Sequence, residues 1–283
     1  MKTKGWELYN NAMVPSCEPH EEPNLDPILQ KTLWKCGKKV LFARYTVDFD
    51  CCKPTNWWYV IKDTPFDIES LKAKRRYEVN KGIKNFDVRR VNPADCVEEL
   101  YEVQQKAFMA YAEKYRPHSN KESYVKYFTT CDSEKTIVIG AFSKDNGKLC
   151  GYSVLLKGER AINFIVQKTV PEYEKFGINA ALVNFILSFY KEDLQNGSKY
   201  ICDGARSVVH ETSFQDYLEK YFDFRKAYCK LVIKYNPKYN WIFKICYCFR
   251  KLFYLLDGNK VFHKINGVLK MEEIARRDKK NGK

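Results

Sequence analysis

The sequence predicts a mixed α/β (α+β) fold: a mainly antiparallel sheet flanked by helices and continued by a helical tail. Three observations carry this expectation. The runs TIVIGAFS, LCGYSVLLKG and AINFIVQKTV are strand-like, and the turn signals Asp145-Asn146-Gly147 and Lys157-Gly158 separate them, which makes an antiparallel meander. Directly after it, INAALVNFILSFYKEDL places Ile178, Ala181, Leu182, Phe185, Ile186 and Phe189 on one helical face. Strand and helix patterns then alternate as far as Tyr235.

Taken in order, residues 1–35 are rich in Pro, Asn and acidic groups with weak periodicity and read as an extended arm. Residues 36–85 read as a strand-strand-helix unit: VLFARYTVDF and WWYVIKDT are β-branched and aromatic, and TPFDIESLKAKRRYEVNKG follows as a helix. Thr64 fits its N-cap, Pro65 its first position and Gly82 its stop. Lys72, Lys74, Arg75, Arg76 and Lys81 give it a basic face. From Phe86 the strand FDVRRV leads into a helix with Val97, Leu100, Tyr101, Gln104, Phe108 and Tyr111 at helical spacing, Gln104 being the one polar member of the stripe. A short helix follows over 122–129, then the meander. After the helix that starts at Ile178, KYICDG is a strand, SFQDYLEKYF a short helix and KAYCKLVIKY a long strand. The order over 86–236 is β α α β β β α β α β.

Length and composition exclude several classes. A chain of 283 residues that is 45% hydrophobic and 30% charged has room for a sizeable core and is unlike a disordered chain. No window approaches the roughly 18 apolar residues of a spanning helix, and the N-terminus lacks a signal-peptide core, so the chain reads as cytoplasmic. Eleven cysteines without an export signal read as reduced thiols, and no pair has the spacing of a zinc site, so no metal is expected. The formal charge of +14 favours polyanionic partners. Residues 237–283 hold twelve Lys or Arg against four Asp or Glu, and so carry +8 of it.

The motif VPEYEKFGINAAL, between the third meander strand and the next helix, carries the functional reading. A glycine at a helix start lets a ligand approach the backbone, where unpaired N–H groups favour an anion; alternatively Gly177 only permits a tight entry, with Glu172 and Glu174 complementing the dipole. The element order and this turn together resemble the GNAT acyltransferase superfamily, most of all its FemAB-like branch, over about half of the chain. The family pattern Gln/Arg-x-x-Gly-x-Gly/Ala corresponds here to Glu174-Lys175-Phe176-Gly177-Ile178-Asn179, followed by Ala180.

The resemblance implies acetyl-CoA or a longer acyl-CoA as co-substrate, its diphosphate held by Lys175, Phe176, Gly177, Ile178, Asn179 and Ala180, with Val166 and Lys168 on the preceding strand. It also implies that acceptor amine and thioester meet where the fourth and fifth strands splay, beside Asp203. His210 or Glu211 in the following loop, or Asp203 itself, would take the amine's proton, and Tyr217 would return one to the leaving thiolate. His210 and Glu211 have a second reading, as neighbours of a capping box formed by Thr212 and Gln215 or Ser213 and Asp216.

Residues 36–85 would be the remnant of a second unit of the same kind. The function expected is N-acyl transfer from acyl-CoA or an acyl carrier protein to an amine by direct attack. Two alternatives stay open, a FemAB-like aminoacyl-tRNA-dependent transferase and a non-catalytic binding protein on the same fold.

The tail, 237–283, reads as a basic amphipathic helical segment. Trp241, Ile242, Ile245, Phe249, Leu252, Phe253 and Leu256 share one face, with Lys244, Arg250 and Lys251 between. This stripe either packs on the domain, the better expectation for a chain in water, or lies over 241–256 on an anionic membrane at the inner face.

Overall fold

The computed structural model describes residues 5–36, 40–111, 116–117, 119–208 and 213–281, with the backbone alone at 260, 280 and 281. The elements in order are β1 (Trp6–Tyr9), β2 (Ala12–Pro15), α1 (Asp26–Leu29), β3 (Phe42–Val47), β4 (Trp57–Lys62), α2 (Ala73–Asn85) and β5 (Phe86–Val91). Next come α3 (Val97–Met109), α4 (Lys121–Thr130), β6 (Thr136–Ser143), β7 (Leu149–Lys157), β8 (Ala161–Thr169), α5 (Pro171–Glu174) and α6 (Ile178–Phe189). Then follow α7 (Lys191–Gln195), β9 (Tyr200–Ala205), α8 (Ser213–Phe222), β10 (Arg225–Tyr235), α9 (Asn240–Cys248), α10 (Arg250–Leu255) and α11 (Lys260–Asn281). The fold is mixed α/β with mostly antiparallel strands, flanking helices and a C-terminal helical region. From β5 to β10 the order matches the sequence expectation, with the short α5 and α7 added.

The chain divides into two compact units: Met1–Val60 with Ala205–Asp216 and Arg225–Lys283, and Ile61–Gly204 with Tyr217–Phe224. In the second, β5, β6, β7 and β8 form an antiparallel ladder and β9 joins β8 in parallel. Strand β6 is buried on both faces because helices cover both. On one side Leu100 and Val103 of α3 and Phe128 of α4 pack on Val138, Tyr152 and Val154. On the other, α6 lies on β5, β6 and β7 while α2 packs on α6. Helix α6 is therefore sandwiched: Ile178, Ala181, Leu182 and Ile186 are buried, and so are Val183 and Leu187 of its other face. Each fully buried Leu or Ile there contributes roughly 2 kcal/mol. In α3 the core-facing residues are Leu100, Val103 and Ala107, while Tyr101 and Phe108 are half-buried, so its buried face is rotated from the stripe the spacing suggested.

Helix α2 starts later and ends later than its sequence signals. Asp67 caps a 3₁₀ turn at Ile68–Ser70, α2 begins at Ala73, and Gly82 lies inside it. The reason is tertiary: a Cβ at Gly82 would sit 2.4 Å from the Gly177 carbonyl oxygen. Gly82 is a crossing point and the helix runs on past it.

In the first unit the strand order is β1-β2-β3-β10-β4, with β10 antiparallel to β3 from Lys230↔Val47 to Tyr235↔Phe42. The expected N-terminal arm is instead part of this core, since Trp6, Met13 and Leu33 are buried with Val40, Ala43 and Tyr45. The apolar residues scattered through residues 1–35 lack a period because a short hairpin and a 3₁₀ turn deliver them singly. Helix α11 packs on β10, with Leu269 buried and Glu272 accepting from the Tyr235 hydroxyl at 2.9 Å.

Candidate functional site

The site begins with a fork. Strands β8 and β9 pair only over Ala161–Asn163 and Tyr200–Cys202, while β8 stays paired to β7 as far as Thr169. Its cause is local: the register slips between Val154↔Val166 and Leu155↔Phe164, making Ile165 an extra residue on β8. Such a bulge bends its strand and increases the twist. From Ile165 to Thr169, β8 has no ladder partner on the β9 side among the described residues. Ile165 itself is 53% exposed.

At the end of that free edge the chain turns into α6. Val170 N–H is anchored to Cys150 O at 2.8 Å, and Pro171 opens α5 at a position where no N–H is needed. Gly177 then caps α6 with φ +84°, a conformation that side chains other than glycine rarely adopt. The first bond of the helix runs from Ala181 N–H to Gly177 O at 3.0 Å. The N–H groups of Ile178, Asn179 and Ala180 consequently have no protein acceptor among the described residues. Three orphan donors beside an open strand edge are a fit for an anion carried on an extended arm.

The side chains around the turn support this electrostatically. The Glu174 carboxylate accepts from Thr169 Oγ1 at 3.2 Å, which ties it to the end of β8. The ammonium groups of Lys175 and Lys81 lie 5.1 and 5.9 Å from the Phe176 ring centre. Asn179 Oδ1 accepts from Gln167 Nε2 at 2.9 Å, and Gln167 Oε1 accepts from Ser153 Oγ at 2.8 Å, so Asn179's side chain locks α6 to the sheet. Gly177 has a structural duty of its own, since a Cβ there would lie 2.7 Å from Glu78 O of α2. Val166 packs half-buried against the α3 side of the core. Lys168 donates to the Tyr111 hydroxyl at 2.8 Å and lies over the Phe108 ring.

At the fork, Asp203 is half-buried on β9 next to Cys202, whose thiol is pushed up to about 12 by complete burial. Burial keeps that thiol protonated and unreactive. Tyr217 lies on α8, its ring against Tyr221 and Phe222, and Glu78 and Arg75 of α2 act on it. Burial raises its hydroxyl well above the usual tyrosine range. His210 and Glu211 lie outside the described residues.

Sequence reasoning missed the Ile165 bulge, the contact of Gly82 with Gly177, and a half-buried polar chain. In that chain Tyr124 donates to Tyr152 at 3.1 Å, Tyr152 to Gln104 Oε1 at 3.4 Å, and Gln104 Nε2 to Ser119 at 2.9 Å. Gln104, polar within an apolar stripe, was the visible signal for the last. Among the described residues no group of three or more His, Cys, Asp or Glu side chains could hold a metal ion, and no helix is long and apolar enough to cross a membrane.

No family model and no curated protein matches the chain by sequence. Solved structures do match in fold. L-PGS from Bacillus licheniformis aligns with a TM-score of 0.51 at 13% identity, covering 85% of this chain and 83% of that one. FemX aligns with a TM-score of 0.53 at 10% identity, over 77% and 78% of the two chains. A conserved protein of unknown function from Bacteroides thetaiotaomicron aligns at 0.51 and 11% identity, over 79% and 78%. At these identities the likeness is one of fold, and it spans more than three quarters of each chain.

Proposed function

We propose that this protein is an N-acyltransferase that moves an acyl group from a coenzyme A or acyl-carrier thioester to an amine. The observation that carries the reading is the junction of the free β8 edge, Ile165–Thr169, with the three unpaired N–H groups of Ile178, Asn179 and Ala180. Phosphate groups suit those donors and the nearby Lys175 and Lys81, and an extended pantetheine-like arm suits the strand edge. The reactive end would then fall at the fork, near Asn163 and Asp203. There the thioester C–S bond is replaced by an amide C–N bond. Asp203, or a water it orients, takes the proton the amine gives up and hands it on to the departing sulfur, which leaves as a thiol. Tyr217, half-buried on α8 with its hydroxyl raised by burial, keeps its proton and is the candidate acid that would relay one to the sulfur.

A thermal-shift titration with acetyl-CoA and longer acyl-CoA tests the donor: binding raises the melting temperature. Lys175→Glu combined with Lys81→Glu should weaken that binding about tenfold or more, since two nearby positive charges are reversed. No shift with any acyl-CoA would sink the coenzyme A reading. A second reading, an aminoacyl-tRNA donor, is supported by the exposed cations Lys72 at the N-cap of α2 and Lys74 and Lys84 within it. It requires tRNA binding that falls steeply with salt.

A further inference from the structure

The helix pair α9–α10 has apolar residues on both of its faces. Its inner face is occupied: Phe243 stacks on Tyr235 at 4.3 Å between ring centres, Phe253 packs on Phe262, and Asn266 Nδ2 donates to Phe253 O at 2.9 Å. The outer face should then be polar, but Trp241, Ile242, Ile245, Phe249, Leu252, Leu255 and Leu256 are all exposed, from 39% at Ile242 to 82% at Leu255. These residues come largely from the stripe for which packing on the domain was expected. Of that stripe only Phe253 turns inward. Cations accompany them. Residues 237–256 contain Lys238, Lys244, Arg250 and Lys251 and no Asp or Glu. Arg250 lies over the Tyr247 ring at 4.4 Å and Lys238 over Tyr239 at 5.5 Å, pairing charge with amphipathic rings.

We infer that the outer face of α9–α10 docks on the surface of an anionic phospholipid membrane, its apolar side chains at the headgroup–acyl boundary and its cations among the phosphates. The helices are nine and six residues long, about 13 and 9 Å at 1.5 Å per residue, far short of a bilayer span. They lie in the interface and do not cross it. Charge argues against a second copy as occupant, because two such faces would bring like cations together. A membrane rich in anionic lipid supplies both the apolar phase and the counter-charge. The inference stands apart from the acyl-transfer reading, since every residue it uses belongs to the unit that lacks the β8–β9 fork.

The test is co-sedimentation of the full chain with vesicles of phosphatidylcholine alone and with about a third phosphatidylglycerol. Binding is expected to the anionic vesicles, at least tenfold stronger than to the neutral ones and weakened by salt. The triple variant Ile245→Asn/Phe249→Ser/Leu252→Ser, changed only at exposed positions, should keep the wild-type melting temperature and lose vesicle binding. Lys244→Glu/Lys251→Glu should lose most of the preference for anionic lipid. Equal sedimentation of wild type and triple variant overturns the proposal. So does a concentration-dependent dimer, without vesicles, that the triple variant abolishes, for the face would then belong to a second copy.

Discussion

Asp223 shows how one residue can carry two constraints. It has φ +57°, a left-handed conformation that favours glycine and that Asp tolerates better than most residues. Its carboxylate meets the ammonium of Lys62 at 3.1 Å, and Lys62, 1% exposed, has Thr64 Oγ1 as its other partner at 2.5 Å. The aspartate thus keeps a backbone that favours glycine and adds a counter-ion. Asp223→Gly should relax the backbone yet destabilise the fold by about 1–3 kcal/mol, because a buried ammonium loses its partner. Lys62→Met added to it should recover most of that loss. A double-mutant cycle by urea denaturation checks both, and additive single effects would refute the coupling. At the candidate site, Asp203→Asn should lower the transfer rate about 10²–10³-fold while leaving donor affinity and melting temperature near wild type. Gly177 is the wrong residue for such a test, because any side chain there meets the α2 backbone.

The crossing of α2 and α6 is decided by two glycines that face each other. A Cβ at Gly82 would lie 2.4 Å from Gly177 O and 3.0 Å from the Ala181 Cβ. Helix propensity alone says that Gly82→Ala gains about 1 kcal/mol. The contact says the opposite, and a net loss of about 1–3 kcal/mol is expected from chemical denaturation, since backbone on both sides must shift. A stabilised variant would show that the two helices are not held at this distance. The same contact explains why Gly82 read as a helix stop. Sequence signals for caps are local, and a glycine kept for close approach looks the same as one kept for its backbone freedom. The β8 bulge was equally hidden, because AINFIVQKTV carries no Gly or Pro to mark it. Only the register with β7 makes Ile165 the extra residue.

At the scale of the molecule, chain order and spatial grouping differ. The sequence boundaries at 35/36, 85/86 and 236/237 follow changes of texture, whereas one compact unit gathers Met1–Val60, Ala205–Asp216 and Arg225–Lys283. Strand β10 joins it by pairing with β3 across nearly two hundred residues, a partnership no local pattern announces. The cations behind the formal charge of +14 are likewise placed by the fold in separate groups. Lys81 and Lys175 flank the α6 turn, and Lys244 and Lys251 lie beside the apolar outer face of α9–α10. Salt should therefore weaken donor binding and vesicle binding independently. Lys175→Glu should alter only the first and Lys244→Glu only the second, in acyl-CoA titration and vesicle sedimentation run side by side. Loss of both functions in either variant would show that the two surfaces are one.

The sequence by itself determined the elements from Phe86 to Tyr235 other than the short α5 and α7, their order, and the turn at Gly177, because alternation, helical spacing and turn residues are local properties of the chain. It also supplied the apolar stripe of residues 241–256 and the cations beside it. Tertiary structure alone decided what these features meet. It drew Glu174 back to Thr169, left three N–H groups unpaired at the head of α6, opened β8 from β9, and turned most of the tail's stripe outward. The physical reason is that a contact between residues far apart in the chain depends on what both sides can approach, and one segment's pattern describes only its own side.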